Sequence, residues 1–106
     1  MKASTIFKKE LQEYTISRLD SLSSGPDGTQ IQNRSDKTVE LAIYDKGTKL
    51  VNKQNEDSYT ISIIQIYCDA KLLKLADIVP FNGLDYTVLE NQDFSDYSIY
   101  KAVANV

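Results

Sequence analysis

With 106 residues, 42% hydrophobic and 25% charged, the chain has the make-up of one globular domain (1–106) rather than of a disordered segment. It has no histidine and a single cysteine, Cys68, which excludes a Ser-His-Asp triad, an internal disulfide and a tetrahedral zinc shell. A net charge of −3 without Lys/Arg clusters argues against tight nucleic-acid binding, which rests on phosphate neutralisation.

In chain order, STIFKKEL (4–11) predicts a short helix with Ile6, Phe7 and Leu11 on one face and Ser4 or Thr5 as cap. EYTISRL (13–19) alternates, with Tyr14, Ile16 and Arg18 against Thr15, Ser17 and Leu19. This reads as a strand. A continuing helix through Leu11, Tyr14, Leu19 and Leu22 is the alternative, and the β-branched Thr15 and Ile16 favour the strand. Residues 21–30 read as a loop or hairpin tip around Gly25-Pro26-Asp27-Gly28, with a weak return strand near 29–32 and a turn over 33–37, so that 20–36 forms one polar stretch. TVELAIY (38–44) predicts a half-buried strand. Residues 45–54 predict a linker with one helical turn near 49–52, and 55–58 is polar. One of the stretches 20–36 and 45–57 is expected to project toward a neighbouring molecule and order on assembly, since long loops in small domains tend to be functional or disordered when free.

SYTISIIQIY (58–67) is the clearest strand. Thr60, Ser62, Ile64, Ile66 and Cys68 share one face, and Tyr59, Ile61, Ile63, Gln65 and Tyr67 the other. Its second half is apolar on both faces, which places it centrally in a sheet. Residues 69–75 follow as a turn or single helical turn, with Asp69 ahead of Lys71 and Lys74 as a helix dipole prefers.

ADIVPFNGLDYTVL (76–89) is a hairpin. Asn82-Gly83 between alternating apolar runs suits a type I′ turn, whose two central residues need φ > 0. The turn sets the register: Phe81 faces Leu84, Val79 faces Tyr86 and Asp77 faces Val88. Pro80 has no N–H to give outward, so strand 76–81 is expected at an edge or in interrupted pairing. YSIYKAVA (97–104) is the last strand, paired with 84–89. Together these elements predict an all-β fold, a small barrel or sandwich with a short N-terminal helix and long loops.

No segment approaches the roughly 18–20 apolar residues of a membrane helix. The N-terminus lacks an apolar signal core, so a cytosolic or packaged protein is expected. Charge is uneven. Residues 1–55 hold nine Lys/Arg against seven Asp/Glu, a net of +2, and residues 56–106 hold three Lys against eight Asp/Glu, a net of −5. That asymmetry could favour head-to-tail self-association. Cys68 lacks a base and reads as a buried structural thiol. Asp69, Asp77 and Asp85 do not define an acid-base dyad. In DFSDY (93–97), two carboxylates and Ser95 fall short of a calcium loop, and Phe94 and Tyr97 are expected to pin the loop onto the hairpin. Seven tyrosines supply candidates for an interface, Tyr59, Tyr97 and Tyr100 first.

The stretch from Ser62 onward resembles the neck proteins of tailed bacteriophages, the small head–tail connectors known as head-closure, stopper or adaptor proteins. The residues that carry the resemblance are Ile66-Tyr67, Ala76-Asp77-Ile78, Asn82-Gly83, Tyr86-Thr87-Val88 and Asp93-Phe94-Ser95-Asp96-Tyr97. More loosely, Tyr14-Thr15-Ile16-Ser17-Arg18 and Pro26-Asp27-Gly28 match the N-terminal half. Ser98 stands where such proteins usually have Gly, and Phe94 where Trp is frequent. The resemblance implies a homo-oligomeric ring in the virion neck, assembled in the host cytoplasm and contacting portal or adaptor and tail-side proteins. DNA would pass through the lumen unread, a task an acidic protein suits. It implies no enzyme activity, no cofactor and no metal. Its structural and interface candidates are Tyr59, Asn82, Gly83, Phe94, Asp96, Tyr97 and Tyr100. The alternative is a small β-barrel module that binds a host or regulatory partner; a carboxylate hydrolase is unsupported.

Overall fold

The computed structural model describes residues 10–51 and 58–105. Six strands follow one another: β1 Gln12–Ser24, β2 Gln30–Val51, β3 Tyr59–Asp69, β4 Ile78–Phe81, β5 Leu84–Asp93 and β6 Tyr97–Asn105. Every pairing is antiparallel, and the sheet closes in the order β1-β2-β3-β6-β5-β4. The fold is therefore all-β, as expected. The N-terminal helix predicted over 4–11 lies almost wholly outside the described residues, among which there is no helix.

The core follows from strand periodicity. Ser62, Ile64, Ile66 and Cys68 of β3 point inward beside Ser98, Tyr100, Ala102 and Ala104 of β6, and all are buried. Ile16, Leu41, Val79, Tyr86 and Val88 complete the interior. β3 lies between β2 and β6, the central position that its two apolar faces predict.

The β4–β5 hairpin has the expected register, with Phe81 opposite Leu84 and Val79 opposite Tyr86. Asn82 and Gly83 take φ of 51° and 79°, as the turn demands. Pro80 also behaves as argued, because β4 meets β1 at one ladder position, Ser17 with Ile78, so the sheet closes there through interrupted pairing. Ahead of β4, Ala76 and Asp77 both stand opposite Val88. Ala76 N donates to the Val88 carbonyl, and Val88 N donates to the Asp77 carbonyl, each at 2.9 Å. This is a bulge whose first residue is left-handed, and Ala76 occupies that position with φ 73°.

Two expectations are corrected. Over 20–36 the hairpin tip and the return strand hold, but the loop does not, and the turn expected over 33–37 is strand. β1 and β2 run on as a two-stranded arm, paired from Leu22–Gln32 to Ser24–Gln30, and only residues 25–29 turn. The arm projects from the barrel, so neither face buries against a core. Its Ser, Gln and Asn residues therefore show none of the alternation that marks a half-buried strand. Nor is 45–54 a linker with a helical turn. β2 continues through Val51, interrupted by a bulge at Asp45–Thr48, where Gly47 has φ 86° and donates its N–H to Asp45 Oδ1 at 2.7 Å. Residues 52–57 lie outside the described residues.

Ala76 pays a steric cost that glycine would not. The Ala76→Gly variant is expected to be more stable than the parent by about 0.5–1 kcal/mol in urea unfolding, with an unchanged m-value.

Candidate functional site

In the closed strand order, β3 and β4 stand three places apart by either route, on opposite sides of the barrel. Their connection, residues 70–77, must therefore cross one barrel end. We call it the strap. Side chains hold it there. Leu73 is 3% exposed and drops into the core. The Tyr100 hydroxyl donates to the Leu73 carbonyl at 2.8 Å and accepts from Leu73 N at 3.2 Å. Ser98, fully buried, accepts from Lys71 N at 3.0 Å and donates to Asp93 at 2.6 Å. Burial raises the Tyr100 phenol above its ordinary value, so it stays a hydroxyl donor at neutral pH.

The firmest hold is ionic. Arg18 grips the 1%-exposed Asp77 carboxylate through Nε at 3.2 Å and Nη2 at 2.8 Å, and Nη2 also donates to the Leu72 carbonyl at 2.8 Å. The hydrogen bond to Asp77 raises the guanidinium still further. Asp77 in turn accepts from Lys74 N at 2.9 Å. Arg34, from the other strand of the arm, reaches the Ala76 carbonyl at 3.3 Å and the Ser17 carbonyl at 3.3 Å. The arm thus leaves the barrel at the strapped end and is clamped to the strap from both of its strands.

The sequence-predicted residues are not gathered in one place. Tyr59 starts β3, 38% exposed, at the end away from the strap, where the exposed Asn82-Gly83 turn also lies. Phe94, Asp96 and Tyr97 lie at the strapped end in a tight turn closed by Phe94 N donating to the Tyr97 carbonyl at 2.8 Å. The Phe94 and Tyr97 rings stack on each other, with centroids 4.7 Å apart and planes 20° apart. Phe94 remains 39% exposed. Tyr100 is 1% exposed, so its role is structural and it is not available to a partner. Arg18, Leu73 and Ser98 were not among the sequence's site candidates: the bond from Arg18 to Asp77 spans 59 residues, and those of Leu73 with Tyr100 and Ser98 with Lys71 span 27, beyond any local pattern.

Reactive chemistry finds little support. Burial pushes the Cys68 thiol up to about 12, so it is protonated at neutral pH. Asp77 is committed to Arg18, while Asp69 and Asp85 are exposed on different strands. Among the described residues no three His, Cys, Asp or Glu side chains cluster as metal ligands. One open groove of about 710 Å³ lies on the outer face of β3, β5 and β6, lined by Lys46, Ile63, Gln65, Glu90, Ile99 and Lys101 among others.

No protein-family model matches the chain, and no curated protein matches it. Among solved structures it is similar to the phage-like element PBSX protein xkdH from Bacillus subtilis. The two are 14% identical with a TM-score of 0.52, and the match covers 89% of this chain and 95% of that one. At that identity the likeness establishes a shared fold over nearly the whole length of both.

Two measurements check the site. Arg18→Met strands a buried carboxylate and is expected to cost about 3 kcal/mol, part of which the double variant Arg18→Met/Asp77→Leu recovers in a denaturant double-mutant cycle. Cys68 should resist alkylation in the native protein at pH 8 and react fully in denaturant. Because its folded pKa is raised above the unfolded one, its contribution is complete below about pH 9 and is lost as pH rises toward about 12.

Proposed function

We propose that this chain is a structural protein of a phage-type particle, and more narrowly a neck protein whose copies form a ring between head and tail. The observation that carries this reading is the fold shared, almost end to end, with a protein of a phage-like element. The neck-protein motifs add to it, among them Asn82-Gly83 and Asp93-Phe94-Ser95-Asp96-Tyr97.

The geometry suits a building block. The strap crosses one barrel end and side chains fill the interior, so DNA would pass through the opening of a ring and not through one subunit. Exposed features stand at both ends, with the arm and the Phe94–Tyr97 turn at one and the Asn82-Gly83 turn and Tyr59 at the other. A component that joins a portal or adaptor ring to a tail-side protein needs two such ends. The acidic balance of the chain would let a polyanion slide past rather than adhere. Catalysis has no part in this reading.

A second reading, a peptide-binding module, draws on the outer groove beside Ile63 and Ile99. Deleting the gene from its phage or prophage and imaging the particles separates the two. The neck reading expects DNA-filled or leaking heads without tails, restored by supplying the protein, and a ring at the head–tail junction of complete particles. Normal tailed particles in the deletion would overturn it and leave the binding module.

A further inference from the structure

The arm is a β-ribbon with both outer edges open. β1 meets β4 only at Ser17, so among the described residues no strand pairs with the outer edge of residues 18–24. β2 meets β3 only from Ala42 onward, so none pairs with the outer edge of residues 30–36. A two-stranded ribbon alone in water is marginal, and open edges are templates for another strand. Neither edge carries a lysine or proline to blunt it between Asp20 and Ser24 or between Gln30 and Asp36. The arm nevertheless exposes apolar surface on both faces. Leu22 is 52% and Ile31 46% exposed, and their registers with Gln32 and Ser23 set them on opposite sides.

We propose that the arm joins copies of this chain edge to edge, the β1 edge of one arm (residues 18–24) pairing with the β2 edge of the next (residues 30–36). Two observations favour a second copy as the occupant. The two edges are of equal length and lie on the same ribbon, so each copy offers both halves of a head-to-tail contact that can repeat around a ring. Charge is complementary at the arm's base. Arg34 stands level with Leu19, next to the exposed Asp20, so arms set side by side bring Asp20 of one toward Arg34 of its neighbour. The clamps from Arg18 and Arg34 to the strap fix the angle at which the arm is presented, which lowers the entropic cost of pairing.

This inference rests on the ring reading, but the two fail differently. Sedimentation equilibrium over a wide concentration range should show the chain self-associating. The variant Leu22→Lys/Ile31→Lys should associate at least about tenfold more weakly, as charge placed along an open edge does, with circular dichroism and thermal midpoint close to the parent. Chains carrying only Leu22→Cys, mixed with chains carrying only Gln32→Cys, should form disulfide-linked pairs faster than either population alone. A parent that stays monomeric throughout, an arm variant that associates equally well, or cross-linking as fast in the Leu22→Cys population alone would each overturn the arm contact. A particle imaged without a ring would overturn the neck reading instead.

Discussion

The Arg18–Asp77 pair is the constraint on which the rest of the molecule depends. Six strands arranged in this order leave β3 and β4 on opposite walls, and the chain has to bridge them across an open barrel end. Apart from Ala76 and Asp77, which bond to Val88 of β5, the bridging backbone joins no ladder, so its polar groups need other partners. Arg18, Ser98, Tyr100 and Asp77 provide them. A buried ion pair often adds little net stability over an apolar replacement, because desolvation offsets much of the attraction. Here it sets geometry as well: the same guanidinium that neutralises Asp77 holds the Leu72 carbonyl, and with it the direction of the arm.

That arrangement leaves the interior of the barrel packed with side chains. The interior is filled by Leu73, Tyr86, Tyr100 and their neighbours, and its single thiol is protonated and enclosed. What remains exposed is a projecting ribbon, two decorated ends and a half-apolar outer wall on β3 and β6, the surfaces that the proposed assembly would use.

The sequence was most legible where one face of a strand meets the core or where a turn demands special backbone angles. Asn82-Gly83 gave the hairpin and its register, and the two apolar faces of 58–67 gave the central strand. Pro80 announced the weak seam of the barrel. Legibility ended where a strand has no buried face. The arm over 20–36 is rich in Ser, Gln and Asn, hydrogen-bonded across itself by Asn33 to Ser21 at 3.0 Å, and such a pattern does not differ from that of a loop. It ended again where roles depend on distant partners. Ser98, a departure from the neck-protein pattern, acts as a relay between Lys71 and Asp93, and no local spacing could have told this. Phe94 and Tyr97 stack on each other across the turn, a contact that no spacing in the sequence suggested.

The position of β6 between β3 and β5 has a consequence for how the chain acquires its shape. During synthesis β3 and β5 emerge before the strand that separates them, and neither can complete its ladder until Tyr97–Asn105 has left the ribosome. Such non-local pairing is slow, because loop closure must precede the contacts that reward it. Over that interval the apolar edge of Ile61–Tyr67 stays uncovered, and a cell making many copies at once would have to keep nascent chains apart until the final strand slots in.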